Sequence, residues 1–80
     1  MRLDKFLKVS RIIKRRTVAN DACDASHVLV NGKVAKASHD VKIGDVIEVG
    51  FGQRIFRARV TDIRDTVKKD AAADMYEVLN

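Results

Sequence analysis

The hydrophobic patterning of this chain predicts an α+β domain, two short N-terminal helices packed on a small antiparallel sheet with a short C-terminal extension. Three observations carry that prediction. Apolar residues recur at helical spacing through residues 3–25, an Asn31-Gly32 pair separates two apolar runs, and alternation sets in from Val46 onward.

The first helix is predicted over 3–9, where Leu3, Phe6 and Leu7 share one face and Arg2, Lys5 and Lys8 recur on another. Ser10 to Arg16 forms a basic connector that Ile12 and Ile13 pin to the core. Thr17 is the expected N-cap of a second helix over 18–25, with Asp21 near its positive end. Its inner stripe is Val18, Ala19, Ala22 and Cys23, which leaves Asn20, Asp21 and Asp24 facing out.

The pattern then changes period. Val28-Leu29-Val30, Asn31-Gly32 and Lys33-Val34-Ala35 read as a hairpin, because both turn residues tolerate positive φ. Gly44-Asp45 marks another turn. Val46 to Phe51 places Ile47, Val49 and Phe51 on one side, and 55–63 places Phe56, Ala58 and Val60 inward with Arg57, Arg59 and Thr61 outward. Phe51 and Phe56 are assigned to the core. Lys68 to Ala73 suits a short helix, and Met75 to Leu79 a closing strand.

Eighty residues accommodate one small core, so a single domain is expected over 1–80, with its central motif in 1–50. The composition is 46% apolar and 34% charged, which is globular rather than disordered. No apolar run exceeds three residues, so neither a membrane partner nor a secretory leader is expected. Cys23 has no second cysteine to pair with, in keeping with a reducing cytoplasm. With only His27 and His39 beside it, a zinc site is not expected, and no metal or cofactor is assigned. Paired carboxylates in a cleft, a nucleophile with a base and a phosphate-binding glycine loop are all missing. The expectation is a non-catalytic chain.

Charge narrows the class further. Residues 1–20 carry seven cations and one acid, a net +6, whereas the remaining sixty residues carry nine cations and ten acids, a net −1. The overall +5 therefore sits at one end, where a polyanion would dock. The candidate RNA-binding residues are Arg2, Lys5, Lys8, Arg11, Lys14, Arg15, Arg16 and Thr17, with Asn31 and Lys33 at the hairpin tip. Lys36-Ala37-Ser38 offers a second contact edge. Arginines grip phosphate bidentately or stack on bases, and the start of the second helix supplies N–H donors. RNA is favoured over DNA because no long recognition helix is available for a major groove. Low aromatic content favours recognition of folded, double-helical RNA by shape rather than stacking on single strands.

Blander readings stand beside these. Asp4 either orients Arg2 or Arg16, or simply complements the dipole of the first helix. His27 and His39 read as surface or strand-end residues, and Cys23 as a small core residue. Arg57 and Arg59 read as a solvated sheet face rather than an RNA contact.

Arg2-Leu3-Asp4-Lys5-Phe6-Leu7, Lys14-Arg15-Arg16-Thr17 and Val28-Leu29-Val30-Asn31-Gly32-Lys33 occur in order, and together they resemble the S-four-type RNA-binding domain, or alpha-L motif. Lys42-Ile43-Gly44-Asp45-Val46-Ile47 and the short tail extend the resemblance to the bacterial ribosome-associated heat shock protein 15 group and its quality-control branch. The resemblance implies binding to rRNA of the large ribosomal subunit and to peptidyl-tRNA, in support of a partner protein that tails the stalled nascent chain. It places RNA contacts on Arg2, Lys5, Arg15, Arg16, Thr17, Asn31 and Lys33. One departure is Ser26, where that family carries glycine; serine there is expected to adopt a left-handed conformation at some cost. A monomer is expected, and a chain starting at Met1 is read as self-standing rather than as a detached accessory domain. The competing function is a protein–protein adaptor whose basic face recruits an acidic partner. Membrane-surface binding is disfavoured, since Leu3, Phe6 and Leu7 are needed by the core.

Overall fold

Leu3, Phe6 and Leu7 disappear completely from solvent, and the rest of the molecule is arranged around them. The computed structural model describes residues 1–65 and 67–79. Helix α1 (Leu3–Val9) and helix α2 (Arg16–Asp24) form one layer. The other is a five-stranded antiparallel sheet of β1 (Val28–Val30), β2 (Lys33–Val34), β3 (Val46–Phe51), β4 (Arg54–Val60) and β5 (Tyr76–Val78), in the order β2-β1-β3-β4-β5. A 3₁₀ helix (Lys69–Met75) leads into β5. The predicted fold class and α1 boundaries hold.

Register explains which side chains are buried. Val28, Val49 and Phe56 stand opposite one another, as do Val30, Ile47 and Ala58, so one sheet face supplies an apolar floor for the helices. Phe56 is half-buried and meets Tyr76 edge-to-face, with ring centroids 5.9 Å apart. The other face carries Glu48 opposite Arg57 and Arg59 opposite Glu77, ion-paired at 3.7 and 4.0 Å. Arg57 and Arg59 are thus exposed but matched, in keeping with a solvated face.

Several expectations need correction. Helix α2 begins at Arg16, not after Thr17, and the residue at its N-cap is Arg15, in an extended conformation with no side-chain cap. A tertiary contact of Arg16, described below, outweighs the capping preference of threonine. Val18 is 51% exposed, because α2 packs through the narrower stripe of Ala19 and Cys23, one turn apart. Phe51 is 47% exposed, as the last residue of β3 beside the Gly52-Gln53 turn. The predicted strand over 55–63 is Arg54–Val60, because Thr61 leaves the ladder to donate its N–H to Met75 at 2.9 Å. The predicted 68–73 helix is the 3₁₀ segment, which buries Ala72 and Met75, and the closing strand is shorter than 75–79.

Two turns follow sequence chemistry closely. Asn31 and Gly32 take φ of 53° and 84°, the mirror-image turn that suits a two-residue hairpin. Ser26 takes φ 62° at the end of α2, as expected of the position. Its N–H reaches the carbonyl of Cys23 at 3.0 Å and that of His27 reaches Ala22 at 2.9 Å, the paired bonds of a Schellman motif. Replacing Ser26 with glycine removes the steric cost of that conformation. Ser26→Gly should raise unfolding free energy by about 0.5–1 kcal/mol in urea titrations.

Candidate nucleic-acid interface

The start of the chain is bolted to the strap before β3. Leu3 N–H donates to the His39 carbonyl at 2.8 Å, Asp4 N–H to that of Ala37 at 3.2 Å, and the Arg2 backbone pairs with that of Asp40 as an isolated antiparallel β-bridge. This fixes the first turn of α1 and sinks Asp4 to 2% exposure. A carboxylate so placed needs partners, since desolvating it alone costs several kcal/mol. It has four. The Lys5 N–H donates to Oδ1 at 2.8 Å, Arg2 donates through Nε and Nη2 at 3.2 and 3.4 Å, and Asn20 Nδ2 donates to Oδ2 at 3.4 Å. Arg16 completes the set with Nη2 3.5 Å from Oδ1 and Nε 3.4 Å from Oδ2.

The result is a clasp: one buried acid holds two arginines whose side chains remain 51% and 48% exposed. Of the two readings open for Asp4, the orienting one describes the geometry, and it applies to Arg2 and Arg16 together. Burial pushes the Asp4 carboxyl up, but the hydrogen bonds from Arg2, Asn20, Arg16 and the Lys5 N–H outweigh it and hold it below its ordinary 3.8. Asn20, read from sequence as facing solvent, is the residue that reading missed. Its signal was present: it lies one turn after Arg16, on the same side of α2.

The remaining candidates divide into two groups. Arg16, Thr17 and Asn20 line a shallow depression with Asp4. Asn20 also lines the adjoining one, where Arg2 and Lys36 sit on its walls; Val34, Ala35, Lys36 and Ser38 continue into a third, edged by Asn31, Lys33 and His39. The two N-terminal arginines and the hairpin lysines therefore border one chain of depressions. Lys8, Arg11 and Lys14 surround a separate hollow with Asp65 and Val67, and Lys5 pairs with Asp65 at 3.4 Å. Arg15 is exposed at the head of α2. Lys8, Arg11, Lys14 and Arg15 have no ion pair among the described residues.

Asn31 has an internal task. Its Nδ2 donates to Asp45 at 3.0 Å and its Oδ1 accepts the Val46 N–H at 2.9 Å, which ties the hairpin tip to the turn before β3. Cys23 is buried, and burial together with Asp4 and Asp24 pushes its thiol up to about 11. Such a group behaves as a small apolar residue.

Residues 1–47 match the S4 domain, and the chain belongs to that family. Within it, the chain is similar to the RQC P-site tRNA stabilizing factor of Bacillus subtilis, at 54% identity over 99% of this chain and 92% of that one. The factor of the same name from Streptococcus pneumoniae is 50% identical over 100% and 91%. Among solved structures, trimeric heat shock protein 15 of Vibrio cholerae superposes with a TM-score of 0.91 at 30% identity, over 99% of this chain and 81% of that one.

Two outcomes follow from this geometry. Because the Asp4 carboxyl titrates lower folded than unfolded, its clasp stabilises above about pH 4 and is lost as acid protonates it. The urea midpoint should therefore fall more steeply between about pH 4 and pH 2 in the parent than in Asp4→Asn, which itself costs about 1–2 kcal/mol near neutrality. Alkylation of Cys23 at about pH 8 should be slow when folded and fast in denaturant.

Proposed function

We propose that this chain is a non-catalytic RNA-binding factor of the cytoplasm, holding rRNA of the large ribosomal subunit and peptidyl-tRNA during quality control of stalled nascent chains. The observation that carries the reading is the clasp itself, which positions two half-exposed guanidinium groups without neutralising both. The names of the Bacillus subtilis and Streptococcus pneumoniae relatives point to the P-site tRNA and to quality control as its setting.

In this proposal Arg2 and Arg16 contact the RNA, gripping phosphate or stacking on a base, and the first N–H groups of α2 with the Thr17 hydroxyl add neutral donors. Lys33 reaches the same RNA from the hairpin that Asn31 holds in place. Lys5, Lys8, Arg11, Lys14 and Arg15 supply the surrounding field that speeds and strengthens docking. The working form is a monomer acting beside a nascent-chain tailing protein.

If about four phosphates are engaged, affinity for large subunits should drop roughly 100-fold between about 50 and 200 mM salt. Arg16→Ala should abolish most co-sedimentation with large subunits while leaving the circular dichroism spectrum intact. Retained co-sedimentation would refute the assignment of Arg16. Nuclease treatment of a pull-down separates the adaptor alternative, since an adaptor keeps its acidic partner and an RNA binder releases the ribosome.

A further inference from the structure

The chain of depressions between α2 and the strap after β2 has a feature that phosphate binding leaves unused. Val34 lines two of them and is 60% exposed; Ala35 lines both with it and Ala37 one. Val34 lies on the sheet's edge strand, flanked by Lys33 and Lys36. Arg2 lines the same depression as Val34, and its guanidinium is held to Asp4 by two of its nitrogens and so has a fixed plane. An apolar side chain and a fixed planar cation lining one depression are a poor match to a closed duplex, which offers only phosphates and riboses there. They are a good match to a nucleobase released from its stack, since guanidinium planes and apolar side chains both receive unstacked bases.

We propose that this groove takes an unpaired RNA segment, with one base lodged between Arg2 and Val34 and its flanking phosphates on Lys33 and Lys36. The inference rests on the RNA-binding reading above and departs from the double-helical ligand that low aromatic content favours. Charge complementarity supports this occupant: three cations and one acid, Asp24, border the two depressions. A fixed arginine plane does the work that aromatic side chains do elsewhere.

The test uses the full chain and two fluorescent RNAs, a hairpin with an unpaired loop and a blunt duplex with as many phosphates. The hairpin should bind about tenfold tighter at about 150 mM salt. Val34→Ser and Arg2→Lys, which keep the net charge, should each erase most of that preference while duplex affinity and the salt slope of Val34→Ser stay as in the parent. Thermal unfolding confirms that both variants fold. Equal binding of the two RNAs by the parent, or an undiminished preference in Val34→Ser, would overturn the base subsite and leave the RNA-binding reading standing. Binding to neither RNA would overturn both.

Discussion

A single carboxylate, buried at the first turn of α1, constrains this structure more than any other group. Asp4 has to be satisfied, because an ionised acid in that position is costly without donors. The donors come from three places in the chain: the Arg2 side chain before the helix, the Lys5 amide within it, and Arg16 with Asn20 from α2. Satisfying Asp4 therefore sets the angle and register of the two helices against each other. It also decides where α2 begins. Arg16 is drawn into the helix to reach the acid, and the threonine that follows loses its capping position. The two arginines that satisfy the acid nevertheless stay half-exposed, so one network both stabilises the helix pair and displays cations.

Charge is partitioned by face as well as by position along the chain. On the open side of the sheet, Glu48 meets Arg57 and Glu77 meets Arg59 directly across the strands. Those cations are matched where they stand. On the helical side, four of the seven N-terminal cations have no ion pair among the described residues, and the acid that is present holds its arginines rather than cancelling them. Fields add where charges are uncompensated and cancel where they alternate. The uncompensated positive field therefore lies on one side of the molecule.

Much of the architecture was legible in order. Leu3, Phe6 and Leu7 announce α1 because no other arrangement buries all three, and Asn31-Gly32 announces its hairpin because few other residue pairs adopt two positive φ values cheaply. Ser26 could be read as a left-handed residue from the position alone. Two apolar assignments failed for one reason. Val18 and Phe51 are apolar at apolar positions of the pattern, yet both face solvent, because a period indicates a face and not what covers it. Asn20 failed in the opposite sense, a polar residue turned inward by an acid sixteen positions earlier. Asn31 was placed correctly, but its amide is spent on Asp45 and Val46.

The amino-acid sequence by itself determined the element types, the hairpin, the concentration of net positive charge in the first sixteen residues and the family to which the motifs belong. Those properties reside in local periodicity, turn chemistry and composition, which act over a few residues. Only the tertiary structure decided which cations are held, which are matched and which stay free, and that two depressions meet at Val34. Each of those outcomes depends on pairing between residues far apart in the chain, and such pairing exists only once the helices and the strap have closed over one buried acid.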